Sequence, residues 1–208
     1  FNRLKTANHF MQNDAEHRQK VEEIVGEEYK GEVRVRHFLD VLINGFGLKN
    51  LKSHVRLDLS GLKVACYYGC LLTRPPEITA LDDLEEPHLI DDIMRTIGAE
   101  PVQWPYKTEC CGASFSLTKT DIVLKLSADI LQMAADAGAK AIVVACPLCQ
   151  SNLDLRQGMI NKKYKKNFNL PIVYFTQVVG LALGIDKKKL GLDKHIVNPM
   201  PLLEEKWI

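Results

Sequence analysis

The sequence lacks the features that would assign it to a membrane, a secretory route or nucleic acid. Its 208 residues carry a formal net charge of +1, so no excess of one sign draws it to a polyanion. No window approaches the roughly 18 uninterrupted apolar residues of a membrane span. The opening residues show no basic-then-apolar signal pattern. We therefore expect no nucleic-acid partner and no direct membrane span.

Cysteine is absent from the first 65 and the last 59 residues, and all six cysteines lie between these limits. Disulfide frameworks are typical of shorter, loop-rich secreted chains. Here the cysteines lie among clear helix and strand patterns instead. The distribution favours a reducing compartment, a metal or redox role and a cytoplasmic location. The six are Cys66, Cys70, Cys110, Cys111, Cys146 and Cys149.

The order of elements predicts an α/β fold. Residues 1–55 show helical spacing of apolar positions, which favours a packing or linking role. Residues 56–208 then alternate short apolar strands with helices, which is typical of a roughly four-stranded, mostly parallel, Rossmann-like sheet flanked by helices. Strands are predicted at 62–66, 101–104, 141–145 and 171–175. Helices are predicted at 91–99, 120–138 with Thr120 as N-cap, 147–166 and around 178–183.

The cysteines follow three of these predicted strands. Cys66 and Cys70 come at and just after the first strand, and the other four follow the second and third strands. In an open parallel sheet these positions lie at the carboxyl edge, where such folds bind ligands. Three separate loops are thus expected to deliver thiols to one site.

Cys146 and Cys149 occupy the start of a predicted helix. Pro147 is suited to the first helical position, which places Cys146 near the N-cap and Cys149 in the first turn. Free amide groups and the positive end of the helix dipole favour thiolate there, and thiolate is the form that binds metal. The C-x-x-C spacing is also common in metal sites.

Cys110 and Cys111 are adjacent and are followed by Gly112. The rigid peptide between neighbouring cysteines splays their sulfurs, so the pair suits one tetrahedral ion poorly. It suits a larger group in which each sulfur binds a different metal, and the glycine lets the backbone approach that group. A multi-iron cluster is therefore favoured over a single zinc ion.

Three segments resemble a known family. YYGCLLTRP (67–75), ECCGAS (109–114) and CPLCQSNLD (146–154) are similar to the CCG, or cysteine-rich, domain in the B subunit of heterodisulfide reductase. That family carries two such modules, and the first ends just before a stretch like FNRLK. The resemblance implies that 56–208 is the C-terminal CCG domain and 1–55 a helical segment linking it to an N-terminal module. It also implies that full activity requires more than this chain.

The resemblance implies a cofactor and a reaction. The cofactor would be a non-cubane [4Fe–4S] cluster bound by Cys70, Cys110, Cys111, Cys146 and Cys149, with no catalytic residue beyond these ligands. The reaction would be disulfide reduction or thiol oxidation on a small-molecule or protein-thiol substrate. Electrons would come from partner subunits that carry iron–sulfur clusters or flavin. Cys66 is outside the family pattern and is expected to be a small buried side chain.

Alternatives remain at this stage. The domain could bind a cluster or zinc for structure or electron relay without catalysis, and zinc could replace a lost cluster. Disulfides, including a 110–111 bridge, could form after cluster loss. A glycolate- or lactate-oxidising relative is less favoured because YYGCLLTRP points to the heterodisulfide group. His195 is expected to be a surface or capping residue.

Overall fold

The computed structural model describes residues 1–29, 31–204 and 207. Within them the strands are β1 Lys63–Tyr67, β2 Glu100–Pro101, β3 Ala141–Val144 and β4 Ile172–Tyr174. These four strands form one sheet in the order β2-β1-β3-β4, and every neighbouring pair is parallel. The predicted α/β fold is thereby confirmed.

Helices precede the sheet and cover both of its faces. In the described residues the α-helices are α1 Asn2–Asn13, α2 Ala15–Val25, α3 Phe38–Asp40, α4 Leu48–Ser53, α5 Pro76–Thr79, α6 Leu89–Thr96, α7 Thr120–Asp136, α8 Pro147–Leu155, α9 Gln157–Tyr164, α10 Phe175–Ala182 and α11 Met200–Glu204. A π-helical turn spans Val41–Phe46, and 3-10 turns span Ala113–Phe115 and Leu192–Lys194.

The two faces of the sheet have separate cores because side chains alternate along a strand. Cys66 and Tyr68 lie in the core packed by α6 and α10, which we call the α6 face. Tyr67 lies in the core packed by α7 and α8, which we call the α7 face. All four residues of β3 are buried and apolar, as expected of a parallel strand covered on both sides.

Helix α6 shows why the α6 face closes tightly. Ile90, Ile93 and Met94 are buried at helical spacing against the sheet. Asp91 and Asp92 stand in its first turn, where the helix dipole favours acidic groups, and a basic residue stands in the last. The chain leaves the helix through Gly98 at φ 92, a left-handed conformation that glycine adopts readily.

Three predicted boundaries were wrong. Residues 102–104 are not strand, since β2 stops at Pro101 and the Trp104 side chain turns inward to donate to the carbonyl of Cys66 at 3.1 Å. Thr120 is the first residue of α7, and Lys119 is its N-cap. The helix predicted over 147–166 divides at Arg156 into α8 and α9.

The first two helices contribute little to the core. Met11 is buried, whereas Leu4, Ile24 and Val25 are exposed. Asp14 caps α2 by accepting a hydrogen bond from the His17 amide. None of the helices described is long and apolar enough to cross a membrane.

Candidate functional site: a cluster of cysteines

The first loop of the site follows β1 and ends at Cys70. The amides of Tyr68 and Gly69 both donate to the carbonyl of Lys107, at 2.8 and 3.1 Å, which ties this loop to the one after β2. Gly69 has φ 66, and a Cβ built on it would lie 3.1 Å from the Cys149 sulfur. Only glycine therefore lets the backbone pass this close to a thiol of another loop.

The same loop is held from its outer side by α1. The Asn2 amide group donates to the carbonyl of Leu71 at 3.0 Å and to that of Arg74 at 2.8 Å. Both acceptors lie within four residues of Cys70. The N-terminal helix thus supports the site, although it lies outside the sheet.

The second loop carries Cys110 and Cys111, whose side chains diverge. Cys110 is exposed and Cys111 is buried. Gly112 has φ 75, and its amide turns back to donate to the Cys110 sulfur at 3.3 Å. The Tyr67 hydroxyl donates to the carbonyl of Glu109 at 2.6 Å, fixing the residue before the pair. One thiol faces outward and its neighbour inward, as the rigid peptide between them requires.

The third loop follows β3 and leads into α8. Cys146 is the N-cap of this helix in extended conformation, Pro147 stands at its start, and Cys149 is buried one turn further on. This local arrangement agrees with the prediction from C-P-x-C. A parallel strand that ends in a helix start directs both thiols to the carboxyl edge of the sheet.

Together the loops assemble what we call the thiol cluster. The sulfurs of Cys70 and Cys110 are 3.8 Å apart, and those of Cys111 and Cys149 are 3.5 Å apart. Cys146 joins the second pair through a hydrogen bond from Cys149. All three loops thus contribute to one site. The members are Cys70, Cys110, Cys111, Cys146 and Cys149.

Hydrogen bonding shifts the pKa values of the inner thiols in opposite directions. Hydrogen bonds that the Cys149 thiol shares with Cys111 and Cys146 raise the pKa of Cys149. The same hydrogen bonds, aided by backbone amides, lower the pKa of Cys111 to about 7 and that of Cys146 to about 6. At neutral pH Cys146 is therefore largely thiolate and Cys111 is partly so.

The outer pair behaves differently. Burial, and then the neighbouring Cys110 sulfur, raises the pKa of Cys70 to about 11. A backbone hydrogen bond at Cys70 lowers its pKa, but less than burial and the Cys110 sulfur raise it. The thiol cluster thus combines thiolates on the α8 side with a protonated thiol on the β1 side.

Cys66 lies apart from the thiol cluster on the α6 face. Its side chain is fully buried, as expected from the sequence. Burial and the nearby Asp91 carboxylate raise the pKa of Cys66, which keeps it protonated. Its neighbour along the strand, Tyr67, points to the opposite face and toward the thiol cluster. The position of Cys66 agrees with its exclusion from the predicted ligand set.

All six cysteines are free thiols. Among the residues that the structure describes, no three His, Cys, Asp or Glu side chains are grouped so that they hold a single metal ion. The sulfurs instead lie in contacting pairs spread across three loops.

Sequence reasoning missed two residues at this site. The Asn152 amide donates to the Cys111 carbonyl at 3.2 Å and to its sulfur at 3.7 Å. Asn152 follows Cys149 by three residues, so helical spacing in α8 was an available signal. His195 was expected to be a surface or capping residue: it is the C-cap of the Leu192–Lys194 turn, but its side chain is 4% exposed and contacts Gln150 and Gln177, so a surface position was wrong.

A pocket of about 180 Å³ opens beside the thiol cluster and exposes part of Cys146. Phe1, Leu71 and Pro147 provide apolar walls, and Arg3 provides a cationic group at its edge. The pocket gives a small molecule a route to the sulfur at the start of α8.

Comparisons with known proteins agree with this geometry. Residues 64–154 match the family described as the cysteine-rich domain, CCG, and this range contains all six cysteines. The chain is 33% identical over 181 residues to the B subunit of the ferredoxin:CoB-CoM heterodisulfide reductase of Methanosarcina mazei, covering 86% of this chain and 60% of that protein. It therefore spans about three fifths of the length of that curated relative.

Two further relatives broaden the comparison. The 8-methylmenaquinol:fumarate reductase membrane anchor subunit of Wolinella succinogenes is 34% identical over 174 residues, covering 84% of this chain and 61% of that protein. A protein of Archaeoglobus profundus described as like the heterodisulfide reductase B subunit is 31% identical over 197 residues, covering 90% of this chain and 65% of that protein.

A solved structure supports the fold alone. A hypothetical protein from Helicobacter pylori superposes with a TM-score of 0.70 at 15% identity, covering 93% of this chain and 35% of that chain. At this identity the likeness indicates a shared architecture and carries no functional argument.

Proposed function

Because the chain carries the CCG cysteine-rich domain and belongs with the B subunits of the heterodisulfide reductases, we propose that it is an iron–sulfur subunit of an oxidoreductase. Its cofactor is a non-cubane [4Fe–4S] cluster bound by Cys70, Cys110, Cys111, Cys146 and Cys149. Its reaction is disulfide reduction or the reverse thiol oxidation.

The observation that carries the proposal is the meeting of five thiols from three loops. They form two contacting groups, Cys70 with Cys110 and Cys111 with Cys146 and Cys149. The adjacent Cys110 and Cys111 belong to different groups, which is the arrangement a multi-metal cluster requires and a single tetrahedral ion does not. Neither the geometry nor the comparisons support zinc.

The chain prepares part of this donor set for metal binding. Iron binds thiolate, so each ligand must lose its proton on loading. The lowered pKa values of Cys111 and Cys146 provide thiolate near neutral pH, whereas Cys70 and Cys149 release protons only when metal competes for them. Loading is therefore expected to begin on the α8 side.

When bound, an iron–sulfur cluster supplies one-electron redox chemistry at a potential set by burial and by hydrogen bonds to the sulfurs. This chain provides both controls. Asn152 and the Gly112 amide donate to sulfurs of the site, and Tyr67 covers it from the sheet side. The pocket beside Cys146 admits a small thiol or disulfide, with Arg3 placed to attract an anionic one.

The partners follow from the same proposal. Electrons reach this chain from other subunits that carry iron–sulfur clusters or flavin, a proposal supported by relatives that are themselves named as subunits of reductases. The substrate is a disulfide or thiol, either a small molecule or a protein thiol.

The test is metal and spectral analysis of the protein purified without oxygen. We expect brown protein with about four iron atoms per chain and matching inorganic sulfide. Adding a small disulfide or thiol is expected to change the electron paramagnetic resonance spectrum. Colourless protein with one zinc per chain would contradict the cofactor, and iron whose spectrum ignores both additives would contradict the reaction.

A further inference from the structure

A buried polar group lies on the α6 face, behind the thiol cluster, and joins three segments of the chain. We call Tyr68, Asp91 and Lys107 the Asp91 node. The Asp91 carboxylate accepts a hydrogen bond from the Tyr68 hydroxyl at 2.6 Å and from the Lys107 ammonium at 2.9 Å. Its side chain is 0% exposed and that of Lys107 is 12% exposed. A charge pair is thus almost completely removed from water.

The Tyr68 hydroxyl and the Lys107 ammonium of the node make further hydrogen bonds to the backbone. The Tyr68 hydroxyl also accepts from the amides of Ile90 and Asp91, at 2.8 and 3.2 Å, which satisfies the start of α6. The Lys107 ammonium also donates to the carbonyl of Pro87 at 3.1 Å. Other groups near the carboxylate are Arg95, 3.9 Å away and half exposed, the protonated Cys66 thiol, and the exposed His88 imidazole.

A buried ion pair is a poor way to gain stability. Desolvation of two charges offsets most of their attraction, and an apolar replacement of similar size is often as stable. Helix α6 already has its apolar face, and its start is satisfied by the Tyr68 hydroxyl. The ion pair therefore matters less for stability than for the segments that it connects.

It connects the two loops that carry the outer thiols. Tyr68 stands two residues before Cys70, and Lys107 stands three residues before Cys110. The carbonyl of Lys107 accepts from the amides of both Tyr68 and Gly69. The backbone of Lys107 therefore holds the first loop at two amides. The Asp91 carboxylate joins the same two segments again, because it accepts from the Tyr68 hydroxyl and from the Lys107 ammonium.

We infer that Asp91 is a positioning residue, which through Tyr68 and Lys107 holds the sulfurs of Cys70 and Cys110 at contact distance. The inner pair, Cys111 and Cys149, is held by other means, since Asn152 and the start of α8 fix it from the opposite face. The role as ligands rests on the proposed function, but the placement of the thiols does not.

The test measures thiol placement without iron. In one background, Cys111, Cys146 and Cys149 are replaced by Ser, which leaves the Cys70–Cys110 pair. In the matched background, Cys70, Cys110 and Cys146 are replaced, which leaves the Cys111–Cys149 pair. Diamide oxidises each pair, taking up two electrons and two protons as the S–S bond forms, and the rate is read by quenching and peptide mass spectrometry.

We expect Asp91→Asn to slow oxidation of the Cys70–Cys110 pair about tenfold, since even a displacement of about 1 Å has large effects on a contact reaction. Oxidation of the Cys111–Cys149 pair is expected to stay within about twofold. Equal slowing of both pairs, or of neither, would overturn the inference.

A second variant guards against a simple loss of folding. Asp91→Asn alone leaves the Lys107 charge buried without its partner, which destabilises the fold. Asp91→Asn combined with Lys107→Met removes both charges, so the melting temperature is expected to recover while the Cys70–Cys110 rate stays low. Recovery of both together would show a purely structural role. Failure to bind iron contradicts the proposed function and leaves these rates unchanged.

Discussion

The two faces of the sheet both carry buried polar groups at the carboxyl edge, but they differ in how those groups are satisfied. On the α6 face, Asp91, Tyr68 and Lys107 satisfy one another, and opposite charges are paired within 2.9 Å. On the α7 face, the thiol cluster sets the lowered pKa values of Cys111 and Cys146 around a protonated Cys149, with the Asn152 amide and backbone amides as donors. Neighbouring residues of β1 separate the two, since Cys66 faces one side and Tyr67 the other.

This difference distinguishes a structural support from a candidate site. A closed polar network rigidifies a core, whereas thiolates grouped at one edge of a sheet are stabilised by bound metal. The α6 face is then the support and the α7 face the candidate site. Variants on the two faces are therefore expected to differ in iron binding, thiol reactivity and stability.

The largest expected difference is in iron binding. Cys111→Ser removes a thiolate of the inner group and is expected to reduce iron from about four atoms per chain to below about one. Cys66→Ser changes a thiol that contacts only the α6 face and is expected to leave the iron content nearly intact. Iron and sulfide analysis of protein purified without oxygen measures both. Equal iron loss in the two variants would contradict the proposal that iron binds on the α7 face and not at Cys66.

Thiol reactivity is expected to differ next most strongly. A lowered pKa means that thiolate persists to lower pH, so alkylation of Cys146 in the reduced, iron-free protein should fall only as pH drops through about 6. Cys66 is fully buried with a raised pKa, and it should stay unmodified until the protein unfolds. Iodoacetamide labelling from about pH 5 to about pH 10, read by peptide mass spectrometry, distinguishes them.

The control for this profile is Cys149→Ala. The Cys149 thiol is the main donor to Cys146, so its removal should raise the pKa of Cys146 toward that of an ordinary thiol. A profile that does not move would show that the backbone amides at the start of α8 alone set the pKa of Cys146, without the Cys149 thiol.

Two adjacent tyrosines, one on each face, are expected to contribute differently to the free energy of unfolding. Tyr68→Phe deletes a hydroxyl that bonds Asp91 and two amides, leaving buried groups unsatisfied, and is expected to cost about 2–3 kcal/mol. Tyr67→Phe deletes a single bond to the Glu109 carbonyl and is expected to cost about 1 kcal/mol. Urea titration gives both values. The reverse order would place the more rigid network on the α7 face.

The sequence predicted the parts of this arrangement that depend on short segments. Strand β3, the thiols at the start of α8 and the burial of Cys66 at a strand end all follow from patterns within a few residues. The short β2 was missed because the inward turn of Trp104 depends on a carbonyl 38 residues away.

Contacts between distant segments could not be predicted from the sequence, for the same reason. Asp91 reads as one acidic residue in a helix start, and nothing local marks its pairing with Lys107, 16 residues on. His195 lies 45 residues from Gln150, which it contacts, so its burial left no local signal. The grouping of thiols at one edge of the sheet was predictable from the positions of the cysteines, whereas the residues that support them required the fold.

The smallest expected effect concerns Asn152, which contacts Cys111 on the α7 face only. Asn152→Leu removes a hydrogen bond to the sulfur, and should raise the pKa of Cys111 from about 7 by about one pH unit, equivalent to about 1.4 kcal/mol. The pH dependence of Cys111 alkylation measures it. Ser116→Ala is the matched control, because Ser116 contacts the Asn152 oxygen and leaves its amide on the sulfur. Equal shifts in both variants would mean that loop packing, not the amide donor, sets the protonation of Cys111.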